Sequence, residues 1–151
     1  MSNSANDPTV AVSLTVKDAA EALDFYTRAF GAEELFRLPA PDGSVVHAEF
    51  RIGNSNIYIS CESEEWHAYA MAEGTMASSL LAIATDSCDD SYQKAKDAGG
   101  EGLSDPADQF WGMRTAIIKD PFGYRWSFRQ LLEEVSPEEM AKRAQALFEN
   151  A

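Results

Sequence analysis

The sequence has few basic residues and no long hydrophobic run. Its 151 residues hold 12 lysines and arginines against 25 aspartates and glutamates, a formal net charge of −13. A chain this acidic repels phosphate backbones and anionic membranes, so we expect no nucleic-acid partner and no membrane partner. No segment approaches the roughly 20 apolar residues that span a bilayer, and the first eight residues lack the parts of a signal peptide. These absences predict a cytoplasmic protein.

Cysteine is also scarce. Cys61 and Cys88 are the two cysteines, and they lie in no Cys-x-x-Cys or Cys/His spacing. We expect free thiols, as a reducing cytoplasm favours, although the sequence leaves a single disulfide open. The apolar fraction of 45% and the length suit one domain with its own hydrophobic core.

The chain contains one internal repeat. An alternating strand over residues 9–16 precedes Asp18, which suits a helix N-cap, and a helical pattern that ends at a glycine. Residues 79–85 form the matching strand, and Asp86, 68 positions after Asp18, is the matching N-cap. Three predicted strands follow each helix, so each half has the order β-α-β-β-β.

These elements predict an α+β fold in a single domain that covers residues 1–151. It has four parts: module one at about 9–61, a connector and possible lid at 62–77, module two at about 78–130, and a C-terminal helix at about 136–149. One helix covers one face of each sheet, and two modules can shield their bare faces by enclosing a shared cavity. The apolar stripe of the C-terminal helix predicts that it docks on this chain or on a partner.

Strand alternation predicts which side chains face that cavity. His47 and Glu49 share one face, where a His-x-Glu pair can hold an ion or act as a base, or can hydrogen-bond within a polar wall. Tyr58 faces the same way, and both a hydrogen bond to a ligand and simple packing remain open. Arg125 and Ser127 face the cavity from the last strand, where a buried arginine requires an anion, either Glu49 or a ligand.

The segment QFWGMR, residues 109–114, supplies two further candidates. Trp111 can stack on a ligand ring, and Arg114 can bind a carboxylate or phosphate in a fork. Alternatively, the segment closes the edge of the sheet and Arg114 balances nearby acids. We favour the cavity for Trp111 and Arg114, and a structural role for Phe110. His67, in the connector, is expected to be exposed to solvent.

Five segments carry a resemblance to a known family: VKDAAEALDFYTRAFGAEE (16–34), HAEFRIGNS (47–55), QFWGMR (109–114), DPFGYRWSF (120–128) and VSPEEMAKRA (135–144). Together they resemble the vicinal oxygen chelate superfamily, which includes glyoxalase I, bleomycin- and fosfomycin-resistance proteins and extradiol dioxygenases. Within it, the sequence is most similar to the PhnB-like branch. The resemblance implies paired modules that form a curved, eight-stranded cup, commonly within a homodimer.

The resemblance also indicates where a metal ion would bind. Metal-using members hold a divalent ion with His, Glu or Gln at inward positions, which correspond here to Ala11, Tyr58, Ser79 and Ser127. Alanine has no donor atom, and serine and tyrosine hydroxyls are poor ligands for zinc, nickel or iron. We therefore expect no metal ligand and no cofactor.

Three functions remain open. We prefer a metal-free protein that binds or sequesters a small molecule, in the manner of bleomycin-resistance proteins and as a homodimer. The ligand is unknown and no catalytic residue is assigned. The alternatives are a metal-dependent lyase or isomerase like glyoxalase I, and a structural or interaction protein whose cavity is filled by side chains. Whether the modules pair within or between chains is also open.

Overall fold

The structure, a computed structural model, describes residues 8–151. It divides into two compact units at the boundary between Ala72 and Glu73. Each unit carries one of the predicted modules. The start of the chain, where we expect no signal peptide, lies largely outside the described residues.

The first unit contains one helix and a four-stranded sheet. Its elements are β1 (Val12–Val16), α1 (Ala19–Phe30), β2 (Glu33–Pro39), β3 (Val45–Ile52) and β4 (Ser55–Cys61). The strand order is β1-β4-β3-β2, with β1 parallel to β4 and the other pairs antiparallel. Asp18 caps α1 as predicted, because its Oδ1 accepts from the backbone N–H of Glu21 at 3.1 Å.

Helix α1 covers one face of this sheet with aromatic side chains. Tyr26 stacks on Phe50 of β3, with ring centroids 5.1 Å apart, and both side chains are fully buried. Ile57 and Ile59 of β4 extend the same core. Since side chains alternate along a strand, their neighbours on β3 and β4 form the opposite face of the sheet.

The second unit repeats this arrangement and adds a helix. Its elements are β5 (Leu80–Ala84), α2 (Cys88–Asp97), β6 (Glu101–Asp108), β7 (Met113–Lys119), β8 (Arg125–Leu131) and α3 (Pro137–Glu149). The strand order β5-β8-β7-β6 matches that of the first sheet. The predicted α+β fold of two β-α-β-β-β modules with a C-terminal helix is thereby confirmed.

The predicted N-cap of the second helix is wrong by one residue. Ser87, not Asp86, caps α2, and its Oγ accepts from the backbone N–H of Asp90 at 3.2 Å. Asp18 and Ser87 are 69 positions apart, so the repeat offset is 69 rather than 68. The strand pairing agrees with this offset. Tyr58 pairs with β1 and Ser127 pairs with β5, and these two residues are also 69 positions apart.

Helix α3 is held mainly by one arginine. Arg143 donates to Glu133 at 2.5 Å and to the carbonyl oxygen of Phe110 at 3.1 Å. No α3 side chain is buried, and Leu147 and Phe148 are 54% and 81% exposed. Of the predicted docking stripe, Met140 and Ala144 are half-buried, whereas Leu147 and Phe148 are exposed. No described helix has the length and apolarity needed to cross a membrane.

Candidate functional site

The face of the first sheet that lies away from α1 is polar and aromatic. In the strand register, His47 lies opposite Ser60, and Glu49 lies opposite Tyr58. Their strand neighbours Ala48 and Phe50 are fully buried on the helix side. The structure therefore places His47, Glu49 and Tyr58 on one face, as alternation predicts.

Three of these side chains and one aromatic ring of β2 form a compact group. The rings of His47 and Tyr58 lie 6.1 Å apart and 23° from parallel, and the ring of Phe36 is 6.4 Å from His47. Glu49 Oε1 lies 3.9 Å from His47 Nε2, too far for a hydrogen bond. We call Phe36, His47, Glu49 and Tyr58 the His47 cluster.

Within the described residues, one nitrogen of the His47 imidazole is unsatisfied. Its Nε2 is buried and has no hydrogen-bond partner among residues 8–151. The side chains of His47 and Glu49 are 22% and 18% exposed, so solvent reaches the cluster without reaching this nitrogen. A buried polar atom without a partner costs about 1–3 kcal/mol, and a polar group from a ligand would remove that cost.

Strand alternation did not predict that Phe36 belongs to this cluster. Strand β2 has an irregularity between Glu34 and Phe36, which breaks the alternation from which side-chain direction is inferred. The pairing of Phe36 with Glu49 places it beside the cluster. Its position could have been found only from the register with β3.

On the second sheet, Ser127 and Arg125 lie on the face away from α2. Ser127 is 5% exposed and lies between Ala82 and Ile117 of the neighbouring strands. Arg125 donates to the carbonyl oxygens of Ala77 at 3.2 Å and Ser78 at 2.7 Å. These carbonyls occupy Nε and Nη2 of Arg125, and the expected anionic partner, either Glu49 or a ligand, stays a prediction.

The expected orientation of Arg114 needs correction. Arg114 pairs with Gln130 in the strand register. It lies on the same face of β7 as Ala116 and Ile118, which are fully buried on the α2 side. Its guanidinium binds Asp89 of α2 at 2.7 and 3.1 Å and Asp108 at 2.9 Å. These hydrogen bonds raise the pKa of Arg114 and lower the pKa of Asp89. Arg114 thus balances nearby acids, the alternative that the sequence left open.

Trp111 lies in the turn before β7. Its ring meets Phe110 edge-on at 5.0 Å, and the residue is 37% exposed. The predicted residues thus fall into separate groups. The first unit brings together His47, Glu49 and Tyr58, whereas Trp111, Arg114, Arg125 and Ser127 belong to the second unit.

The residues at the family's metal positions do not fit a metal ion. With the corrected offset of 69 residues, the counterpart of Ala11 is Leu80 rather than Ser79. Neither alanine nor leucine has a donor atom, and Tyr58 and Ser127 offer only hydroxyls. Within residues 8–151, no group of three or more His, Cys, Asp or Glu side chains is arranged to hold a metal.

The sequence matches one family model over most of its length. The model describes the Glyoxalase/Bleomycin resistance protein/Dioxygenase superfamily and matches residues 9–128. The uncharacterized protein Mb0911c of Mycobacterium bovis is 36% identical over 140 residues, which are 89% of this chain and 90% of that protein.

Solved structures share the fold. TioX from Micromonospora sp. ML1 has a TM-score of 0.68 at 24% identity, covering 83% of this chain and all of TioX. The fosfomycin resistance protein FosX from Listeria monocytogenes, solved with Mn(II) and sulfate, has a TM-score of 0.65 at 18% identity, covering 91% and 98%. At these identities the likeness concerns the fold alone. The family model and the mycobacterial relative show that this chain belongs to the glyoxalase/bleomycin resistance/dioxygenase superfamily, as the sequence motifs indicated.

Proposed function

We propose that this protein binds or sequesters a small organic molecule without a metal ion, and that the His47 cluster forms part of the binding site. The observation that carries the proposal is the buried Nε2 of His47, which has no partner among the described residues. Aromatic rings flank it, and binding sites commonly combine a few polar atoms with aromatic walls.

The chemistry of the cluster selects a type of ligand. The ring of Tyr58 lies nearly parallel to that of His47, and the ring of Phe36 is tilted by 52° against that of His47, so a planar ligand finds rings to stack on. A neutral imidazole can accept at Nε2, and Glu49 is an acceptor 3.9 Å away. A ligand N–H or O–H donor would satisfy the nitrogen once the partly exposed His47 ring turns to present Nε2 to the ligand. We therefore propose a planar ligand with a hydrogen-bond donor at its edge.

The side chains at the family's metal positions favour ligand binding over metal-assisted catalysis. A lyase or isomerase of the glyoxalase I type needs side chains that hold a metal ion, and the ion polarises the substrate. Ala11, Leu80, Tyr58 and Ser127 supply no carboxylate and no imidazole for that purpose. A homodimer in the cytoplasm, and a place in the PhnB-like branch, are part of the same proposal.

The experiment is a binding screen on protein treated with EDTA and then dialysed. Metal-free bleomycin and a panel of planar heterocycles that carry N–H or O–H donors are tested by thermal shift and then by calorimetry. We expect at least one saturable ligand whose affinity EDTA does not change. Failure of the whole panel to bind, or binding that requires added divalent metal, would overturn the proposal.

Two variants link the binding to the cluster. Tyr58→Ala removes the stacking ring and should weaken the ligand about tenfold, which corresponds to roughly 1.4 kcal/mol. Tyr69→Ala is the matched control, because Tyr69 is an exposed tyrosine of the connector. His47→Phe keeps a ring but removes Nε2, so it should lower affinity only for ligands with an edge donor. Equal effects of Tyr58→Ala and Tyr69→Ala would place the ligand elsewhere.

A further inference from the structure

A cavity of about 660 Å³ lies at one end of the second sheet. It is formed where the parallel strands β5 and β8 end, and Ala84 of β5 is the strand partner of Arg129 of β8. Met113 and Leu131, which also pair, give it an apolar wall together with Ala84. Its size falls within the range of about 300–1,000 Å³ that small-molecule sites occupy.

Arg129 of β8 is an exposed cation on this face of the sheet. Of the other two cations, Lys119 pairs with Glu101 at 3.0 Å and Arg125 donates to backbone carbonyls. Among residues 8–151, the guanidinium of Arg129 forms no ion pair and no hydrogen bond. A guanidinium in a cavity offers a fork of donors that matches a carboxylate.

Asp86 lines the same cavity and carries the opposite charge. Since Ser87 rather than Asp86 caps α2, the Asp86 carboxylate is not used by the helix. Both residues are exposed, and no ion pair within 4.0 Å joins Asp86 to Arg129 among the described residues. The cavity is thus lined by a carboxylate and a guanidinium that are not paired with each other.

The remaining polar side chains of the cavity are engaged by neighbouring groups. Gln130 accepts from the backbone N–H of Cys88 at 3.0 Å, and the Thr85 hydroxyl lies 2.6 Å from that of Ser91. These bonds fix the frame of the cavity. The two separated charges are therefore the groups best placed to recognise a ligand.

We propose that this cavity binds a small zwitterion with an apolar side chain, of which an α-amino acid is the simplest example. The ligand carboxylate would meet Arg129, its ammonium would meet Asp86, and its side chain would pack on Met113 and Leu131. A plain anion is less suited to the site, because Asp86 and the net charge of −13 oppose it. The two separated charges and the apolar wall carry this inference.

The test is calorimetric titration of the full chain with L-phenylalanine and L-leucine. Two analogues accompany them: 3-phenylpropionate, which lacks the ammonium, and phenethylamine, which lacks the carboxylate. We expect one saturable site for an amino acid, and binding about tenfold weaker or worse for each analogue, since each loses a charge-assisted hydrogen bond. This comparison uses the unaltered protein and depends on no variant folding correctly.

Charge-neutral variants assign the two contacts. Arg129→Gln should weaken phenylalanine about tenfold and leave phenethylamine unchanged, whereas Asp86→Asn should weaken phenylalanine and leave 3-phenylpropionate unchanged. Arg28→Gln and Asp24→Asn are matched controls, because these residues form an exposed pair on α1.

Absence of saturation by both amino acids up to about 10 mM, a concentration that detects even millimolar affinity, would overturn the inference. So would equal effects of the cavity variants and their controls. His47→Phe should leave amino-acid binding intact, because no residue of the His47 cluster lines this cavity. Failure of this proposal is thus distinguishable from failure of the site at the His47 cluster.

Discussion

The indole Nε1 of Trp126 donates to Oδ2 of Asp120 at 2.9 Å, and both residues are 1% exposed. The other carboxylate oxygen, Oδ1, accepts from the backbone N–H groups of Phe122 and Tyr124, each at 2.9 Å. One buried carboxylate therefore fixes the turn that leads into β8. This turn sets the strand on which Ser127 and Arg129 lie.

Asp120→Ala should strongly destabilise the protein. The substitution leaves one buried and two partly buried N–H donors without this acceptor, and an unsatisfied buried donor costs about 1–3 kcal/mol. Chemical denaturation measures the free energy of unfolding. Asp97→Ala, an exposed aspartate in the last turn of α2, is the control and should change it by less than about 0.5 kcal/mol. Equal effects of the two substitutions would contradict the anchoring by Asp120.

Gly102 lies against the side chain of Tyr92. A Cβ at this position would lie 2.2 Å from Tyr92 Oη, so Gly102→Ala forces the tyrosine to move. We expect a loss of about 1–3 kcal/mol in unfolding free energy, as for other overpacked sites. Tyr92→Phe removes the clashing oxygen. The double variant should therefore be less destabilised than the sum of the single variants, and additive effects would rule out the contact.

Gly112 is constrained by both its backbone angle and its surroundings. Its φ is +88°, and a Cβ would lie 2.3 Å from the carbonyl oxygen of Glu133. Gly43 has a similar φ of +86° with open space around it, so Gly43→Ala measures the cost of the angle alone, about 1 kcal/mol. Gly112→Ala should cost clearly more in denaturation experiments. Equal costs would show that the backbone of Glu133 yields freely.

Stability should fall at alkaline pH because of Tyr92. Burial, together with a 2.8 Å hydrogen bond to Asp105, raises the pKa of the Tyr92 phenol above its ordinary value of 10.0. The folded state therefore holds this proton more tightly than the unfolded state does. The resulting stabilisation is complete below pH about 10 and is lost as pH rises through the folded pKa.

Denaturation curves between pH 8 and pH 11 measure this effect, with Tyr92→Phe as the comparison. The wild type should lose more stability over this range than the variant, which has no phenol to titrate at this position. Parallel curves for the two proteins would contradict the assignment.

Sequence patterns predicted the two modules because the apolar periodicity of each strand and helix is strong. They misplaced the second N-cap because Asp86 and Ser87 are both good capping residues, and only the backbone geometry selects Ser87. The same one-residue error made Ser79, rather than Leu80, the counterpart of Ala11. The conclusion about metal ligands was unaffected, since neither side chain suits an ion.

The candidate site was predictable where alternation is regular and not where it breaks. His47, Glu49 and Tyr58 lie on strands with a regular mutual register and share one face of the sheet, as alternation predicts. Arg114 follows a turn, so its phase depends on where β7 begins, and Phe36 follows a strand irregularity. The partners of Arg125 come from 47 and 48 residues away in the chain, a separation that local patterns do not encode.

The central claim is that this member of the superfamily binds its ligand without a metal ion. Elemental analysis of protein purified without chelators, then saturated with a ligand from the binding screen, tests it most directly. We predict far less than one equivalent of nickel, zinc, iron or manganese per chain in the ligand-bound protein, because the metal positions lack suitable donors. A stoichiometric metal that remains through dialysis and is required for the ligand to bind would contradict the account.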